Sequence, residues 1–167
     1  MRTHQVENFS GLNILVCSKQ GPYRKASDDA WEIMLAFATN NHINRARKHY
    51  YSIPYDNPQT TPAEQIRYDA CLQAPLGIRE QGEVKHKMVS GGNYITFTYQ
   101  STASYKFEIF EKIHSEWIPE FKDSYDSSRL SFCEHHNLEF ALLGGSILIS
   151  KVYIPTFSEV VKKSISF

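Results

Sequence analysis

The chain has 167 residues, and its 18 Lys plus Arg are balanced by 18 Asp plus Glu. That length fits one domain with a sizeable core, and zero net charge without a basic stripe argues against direct contact with nucleic acid. No run approaches the ~20 apolar residues that span a bilayer, so no membrane partner is expected, and the lack of a leader-like opening points to the cytoplasm.

His4 to Glu7 reads as a short first strand and Leu12 to Cys17, β-branched at Ile14 and Val16, as a second. Gly21-Pro22 breaks it. Ser27 then stands as a cap before a helix over 28–39, whose apolar Trp31, Met34, Leu35 and Ala38 recur at helical spacing. Asn40-Asn41 suits its end, because asparagine tolerates the left-handed conformation. Tyr50 to Ile53 predicts a strand, the proline-rich segment 54–58 a turn, and Ile66 to Leu72 another strand. The segment 75–83, holding Gly77 and Gly82, reads as a linker.

The second half repeats this order. Val84 to Val89 and Tyr94 to Tyr99 predict strands, and Phe107, Phe110, Ile113 and Trp117 place one apolar face on a helix over 106–117 that Pro119 stops. Phe132 to His136 is strand-like, 137–145 a loop, and Leu148 to Ile154 the last strand. Asn13 and Pro75 recur as Asn93 and Pro155 at one common offset. The expectation is an α+β domain of two duplicated lobes, about 1–76 and 83–156, related by a pseudo-twofold axis, with a pocket at their seam and a tail over 157–167 that has no counterpart. Cys17, Cys71 and Cys133 are odd in number and far apart, which suits buried free thiols. Aromatic residues make up 13% of the chain, ten of them tyrosines, and tyrosine suits the wall of an amphiphilic pocket.

Tyr55-Asp56-Asn57-Pro58 with Thr61-Pro62-Ala63-Glu64, then Arg67-Tyr68-Asp69-Ala70-Cys71, form a specific block. With Ser90-Gly91-Gly92-Asn93-Tyr94, Glu116-Trp117-Ile118-Pro119, Glu134-His135-His136 and Val152-Tyr153-Ile154-Pro155, it resembles the gyrase-inhibitor-like, or AraC-type effector-binding, domain family. The resemblance covers Val6 to Pro155. It implies two β-α-β-β lobes in an antiparallel sheet with two main helices, and capture of bulky lipophilic cations in a central groove. By motif, the groove glutamate falls on Glu134 and the residue two further along on His136. Tyr68, Tyr105, Trp117 and Tyr153 fall on the aromatic wall. Relatives carry an acidic residue where this chain has Lys151, so a lysine facing the groove would pair with Glu134 or repel a cation. A neutral or anionic aromatic ligand therefore stays open.

The plainer readings stand beside these. Glu134 could be a solvated carboxylate, Lys151 an outward lysine, and Trp117 a core residue; Tyr68 shares a strand face with Ala70 and Leu72 that could pack beneath the helices. His135 and His136 point to opposite faces and cannot easily share one metal ion, so neither a metal nor another cofactor is expected. The leading expectation is a binding module for a lipophilic aromatic small molecule, without a catalytic residue. Two alternatives remain: a hydrolase of lipophilic toxins with Glu134 as general base and Tyr105 as its partner, and a protein that binds DNA gyrase or a regulator. A homodimer through a strand edge or the tail is also left open.

Overall fold

The computed structural model describes residues 2–44, 49–102, 105–144 and 147–160. Eight strands form one antiparallel sheet in the order β1-β6-β8-β7-β3-β4-β2-β5. In chain order these are β1 Gln5–Phe9, β2 Leu12–Gln20, β3 Tyr50–Pro54, β4 Arg67–Gln73, β5 Val84–Val89, β6 Gly92–Gln100, β7 Phe132–His135 and β8 Ile149–Pro155. Read from either end the order is alike, β1-β6-β8-β7 against β5-β2-β4-β3. Each half lends its first strand to the other: β1 pairs with β6, and β5 pairs with β2. The halves also join at the centre, where Tyr50, Tyr51 and Ser52 of β3 oppose His135, Glu134 and Cys133 of β7.

Helix α1 spans Tyr23–Asn40 and starts a turn earlier than Ser27 suggested. Pro22 fixes its own φ at −52° and flanks the helix start, where its missing N–H costs nothing. Ser27 lies inside the helix, fully buried, with its hydroxyl donating to the Tyr23 carbonyl at 2.5 Å. Asn41 closes α1 through its backbone and side-chain N–H groups, both bonded to the Phe37 carbonyl. The left-handed residue is the next one, His42, at φ 53°.

In the second half the helical run is α2 Glu108–Lys112, a π-helical turn Ile113–Trp117 and α3 Ile118–Glu120. Pro119 therefore does not stop the helix at Trp117; the run reaches Glu120, with Pro119 as the second residue of α3 just after the π-helical turn. The expected loop after Asn137 contains α4, Leu138–Leu142, which buries Leu138 and Ala141.

Helices cover one sheet face. Strand alternation sends Leu15, Cys17, Tyr68, Ala70, Leu72, Ile95, Phe97, Cys133, Val152 and Ile154 to that side, where they pack against Trp31, Met34, Ile109, Phe110, Ile113 and Trp117. Each such aliphatic or aromatic side chain contributes about 1.5–3 kcal/mol by leaving water. The opposite face carries a second cluster without helical residues: Ile14, Val16, Tyr51, Ile53, Cys71, Val89, Tyr94, Phe132 and Tyr153. The cysteines are buried free thiols. Residues 161–167, most of the expected tail, lie outside the described residues.

Candidate functional site

At the seam, the two sheet faces differ in chemistry. The helix side is closed by a buried hydrogen-bond chain. Trp31 Nε1 can only donate, and does so to Tyr68 Oη at 2.7 Å. Tyr68 Oη lies 2.6 Å from Ser52 Oγ, which lies 2.6 Å from His135 Nε2; with Tyr68 donating to Ser52, Ser52 is free to donate to Nε2. The imidazole proton then resides on Nδ1 and points to Ser150 Oγ at 2.6 Å. Every link has one donor and one acceptor, which is what a buried polar network needs to be stable. Burial pushes His135 down to about 3, with His136 adding in the same direction, so the ring stays neutral. Tyr23, Phe107 and Phe110 pack around Tyr68 and His135 and leave this side filled.

The opposite face is where a carboxylate meets aromatic rings. Glu134 lies between Tyr51 of β3 and Lys151 of β8 in register. One row along, Phe132 opposes Tyr153, and their rings stack at 4.5 Å with 10° between planes. Phe9 and Tyr94 complete the cluster with edge and tilted contacts to these rings. Burial first, then the Glu134 carboxylate, holds the Tyr51 phenol above its usual range; burial does the same for Tyr153 despite the opposing pull of Lys151. Both phenols are therefore neutral at neutral pH, and Glu134 supplies the negative charge beside them.

The cations around this cluster are tied. Lys151 Nζ reaches across β6 to Glu7 Oε2 at 2.7 Å and sits 5.1 Å from the Tyr153 ring centre. Burial alone would lower its pKa, but the bond to Glu7 together with the Glu7 charge and Tyr153 outweighs burial and raises it. Arg129 is held by Asp126 and by the carbonyls of Asn93 and Thr156, with its guanidinium 4.7 Å from the Tyr94 ring centre. Gly92, at φ 140°, leaves that guanidinium its space, since a Cβ there would overlap it. Glu134 itself faces His49 Nδ1 at 3.3 Å, and His49 is 53% exposed.

The expected site residues thus divide. Glu134, Tyr153 and Lys151 come together on the face without helices. Tyr68, fully buried, belongs to the hydrogen-bond chain on the other face, as its alternation with Ala70 and Leu72 allowed. Trp117 is 1% exposed beneath the π-helical turn, against Phe97 and Tyr99. Tyr105 is half-buried on the helix side, stacked under the Arg24 guanidinium at 3.6 Å. His136 points to solvent, and its backbone N–H closes onto Ile149. Tyr51, Phe132, Glu7 and His49 were missed. Phe132 was findable, since two residues before Glu134 on a strand means the same face; the other three depend on long-range register. Among the described residues no three His, Cys, Asp or Glu side chains converge as metal ligands.

The specific sequence block has a structural task. Arg67 forks onto Asp56 at 2.9 and 3.0 Å, and holds that carboxyl below its usual range. Asp69, 2% exposed, accepts from Ser18, Tyr55 and Lys87. These bonds fix the turn after β3 against β4. Residues 2–140 match the GyrI-like small molecule binding domain. The chain belongs to that family.

Solved structures agree on the fold. The EcmrR C-terminal domain superposes with a TM-score of 0.65 at 8% identity, over 95% of this chain and 98% of that one. EcmrR in its complex with DNA gives 0.67 at 7% identity over 95% of this chain, which spans 58% of the EcmrR chain's length. SAV2435 bound to tetraphenylphosphonium gives 0.53 at 10% identity, over 93% of this chain and 94% of that one. No curated protein matches the chain. As a GyrI-like domain it is a small-molecule-binding module, and none of its described helices is long and apolar enough to cross a membrane.

Proposed function

We propose that this GyrI-like domain captures a lipophilic aromatic cation on the sheet face away from the helices, with Glu134 as anchor and Tyr51 and Tyr153 as wall, backed by the buried Phe132. The observation that carries this reading is the position of Glu134 beside three aromatic side chains, while the opposing Lys151 is held by Glu7. An aromatic face attracts a cation by about 0.5–2 kcal/mol, and a carboxylate shielded by rings is a strong partner for a poorly hydrated charge. SAV2435 carries tetraphenylphosphonium on the same fold, which supports a ligand of that class.

The hydrolase reading gains no support from its proposed pair, because Glu134 and Tyr105 lie on opposite faces of the sheet. Titration of the protein with tetraphenylphosphonium and with a neutral aromatic of similar size tests the binding reading. Glu134→Gln is expected to weaken the cation by an order of magnitude or so, about 1.4 kcal/mol, and to leave the neutral compound unaffected. An unchanged cation dissociation constant in that variant removes Glu134 from the site.

A further inference from the structure

Remote from Glu134, on the helix side of the outer half of the sheet, three aromatic side chains surround one cation of the chain itself. The Arg2 guanidinium carbon lies 4.6 Å from the Phe97 ring centre, 4.9 Å from Trp117 and 5.9 Å from Tyr99. Phe97 and Tyr99 are alternate residues of β6, and Trp117 closes the cage from the π-helical turn. Phe97 meets Trp117 edge-on at 4.9 Å, and Tyr99 meets it at 5.0 Å, so the rings form the walls of a box.

The cage is tuned for positive charge. Tyr99 donates its hydroxyl to Glu108 Oε1 at 2.7 Å, and a phenol bonded to a carboxylate has a more electron-rich ring. Its occupant is weakly tethered. Among the described residues Arg2 makes no ion pair, and its Nε is buried without a hydrogen-bond partner. Trp117 Nε1 is buried and unpartnered in the same box. A structural arginine normally satisfies its five donors with carboxylates or carbonyls; this one is held by ring faces, and its backbone carbonyl accepts from His4 Nδ1 at 3.1 Å.

We propose that Phe97, Tyr99 and Trp117 form a second cation site, filled here by Arg2 as an intramolecular plug, which takes a small guanidinium or alkylated ammonium compound when Arg2 withdraws. A ring box without a paired carboxylate suits an organic cation that needs no hydrogen-bond acceptor. The plug competes with it, so apparent affinity is the intrinsic affinity multiplied by the fraction of molecules in which the cage is vacant. The site does not depend on the Glu134 reading, since the two lie on opposite sides of the sheet.

The test follows the indole N–H resonances of the chain's two tryptophans by NMR during titration with tetramethylammonium, assigned with Trp117→Phe. In Arg2→Ala the Trp117 signal is expected to shift saturably, and wild type to need roughly tenfold more compound, as for a plug that is closed about nine times in ten. The neutral isostere tert-butanol should move neither signal, and Glu134→Gln should leave the Trp117 response intact. Arg2→Gln, which keeps most of the side-chain stem, repeats the measurement should Arg2→Ala lose the dispersed amide spectrum of the folded state. No saturable shift in either folded variant, or identical titration curves for variant and wild type, would overturn the proposal and leave Arg2 as packing alone.

Discussion

Lys151 stands opposite Glu134 in the β7–β8 register, yet its ammonium is bound to Glu7, two strands away. The edge strand β1 thus removes the cation that would otherwise neutralise the central carboxylate. Glu7→Gln should release Lys151 toward Glu134 and weaken a lipophilic cation by roughly three- to tenfold, the scale of a half-exposed ion pair and its repulsion. Adding Lys151→Met should restore affinity. Dye titration of the single and double variants measures this, and a single variant that binds like wild type would sever β1 from the site.

The filled face gives a contrasting expectation. Tyr68→Phe removes the hydroxyl that accepts from Trp31 and donates to Ser52, leaving a buried indole N–H unsatisfied. Stability should drop by about 1–3 kcal/mol in urea denaturation. Cation affinity should not change, because Tyr68 is fully buried beneath the helices. A variant of wild-type stability with weakened binding would reverse this assignment and return Tyr68 to the ligand wall.

Acid should loosen the fold through the same chain of bonds. Burial lowers His135 from an ordinary 6.5 to about 3, and lowers the half-hidden His114 as well, which bonds the Pro54 carbonyl through Nε2. Between those limits the unfolded chain takes up protons that folded His135 refuses, so stability falls as pH drops. From neutrality to about pH 5 the His135 contribution is on the order of 2 kcal/mol. Denaturation midpoints of wild type and His135→Gln across that interval check it. Parallel slopes would show that His135 is not the group responsible.

The strands of both halves and their order along the chain were readable from alternation, whereas Glu134 and Tyr153 were brought together only by the family resemblance. What pattern could not decide is which face the helices cover. Tyr68 with Ala70 and Leu72 is equally apolar whether it lines a groove or a core, and only packing of Trp31 and Phe110 against it settles the matter. Tyr51, His49 and Glu7 escaped because their meeting with Glu134 and Lys151 depends on contacts between halves more than eighty residues apart in sequence. The early start of α1 was hidden for a different reason: Ser27 looks like a cap, but its hydroxyl can equally bond back to the preceding turn.

The exchange of β1 and β5 between halves has a mechanical consequence. The connector over 74–83 carries no load that the sheet does not already carry, since each half grips the other by one outer strand and by the β3–β7 contact. Its fully exposed Leu76 offers a protease an accessible bond, yet a chain cut there should stay clasped as two fragments. Neither fragment alone would complete its sheet: the first lacks the partner for β1, the second the partner for β5. The domain is therefore divisible in sequence but not in space.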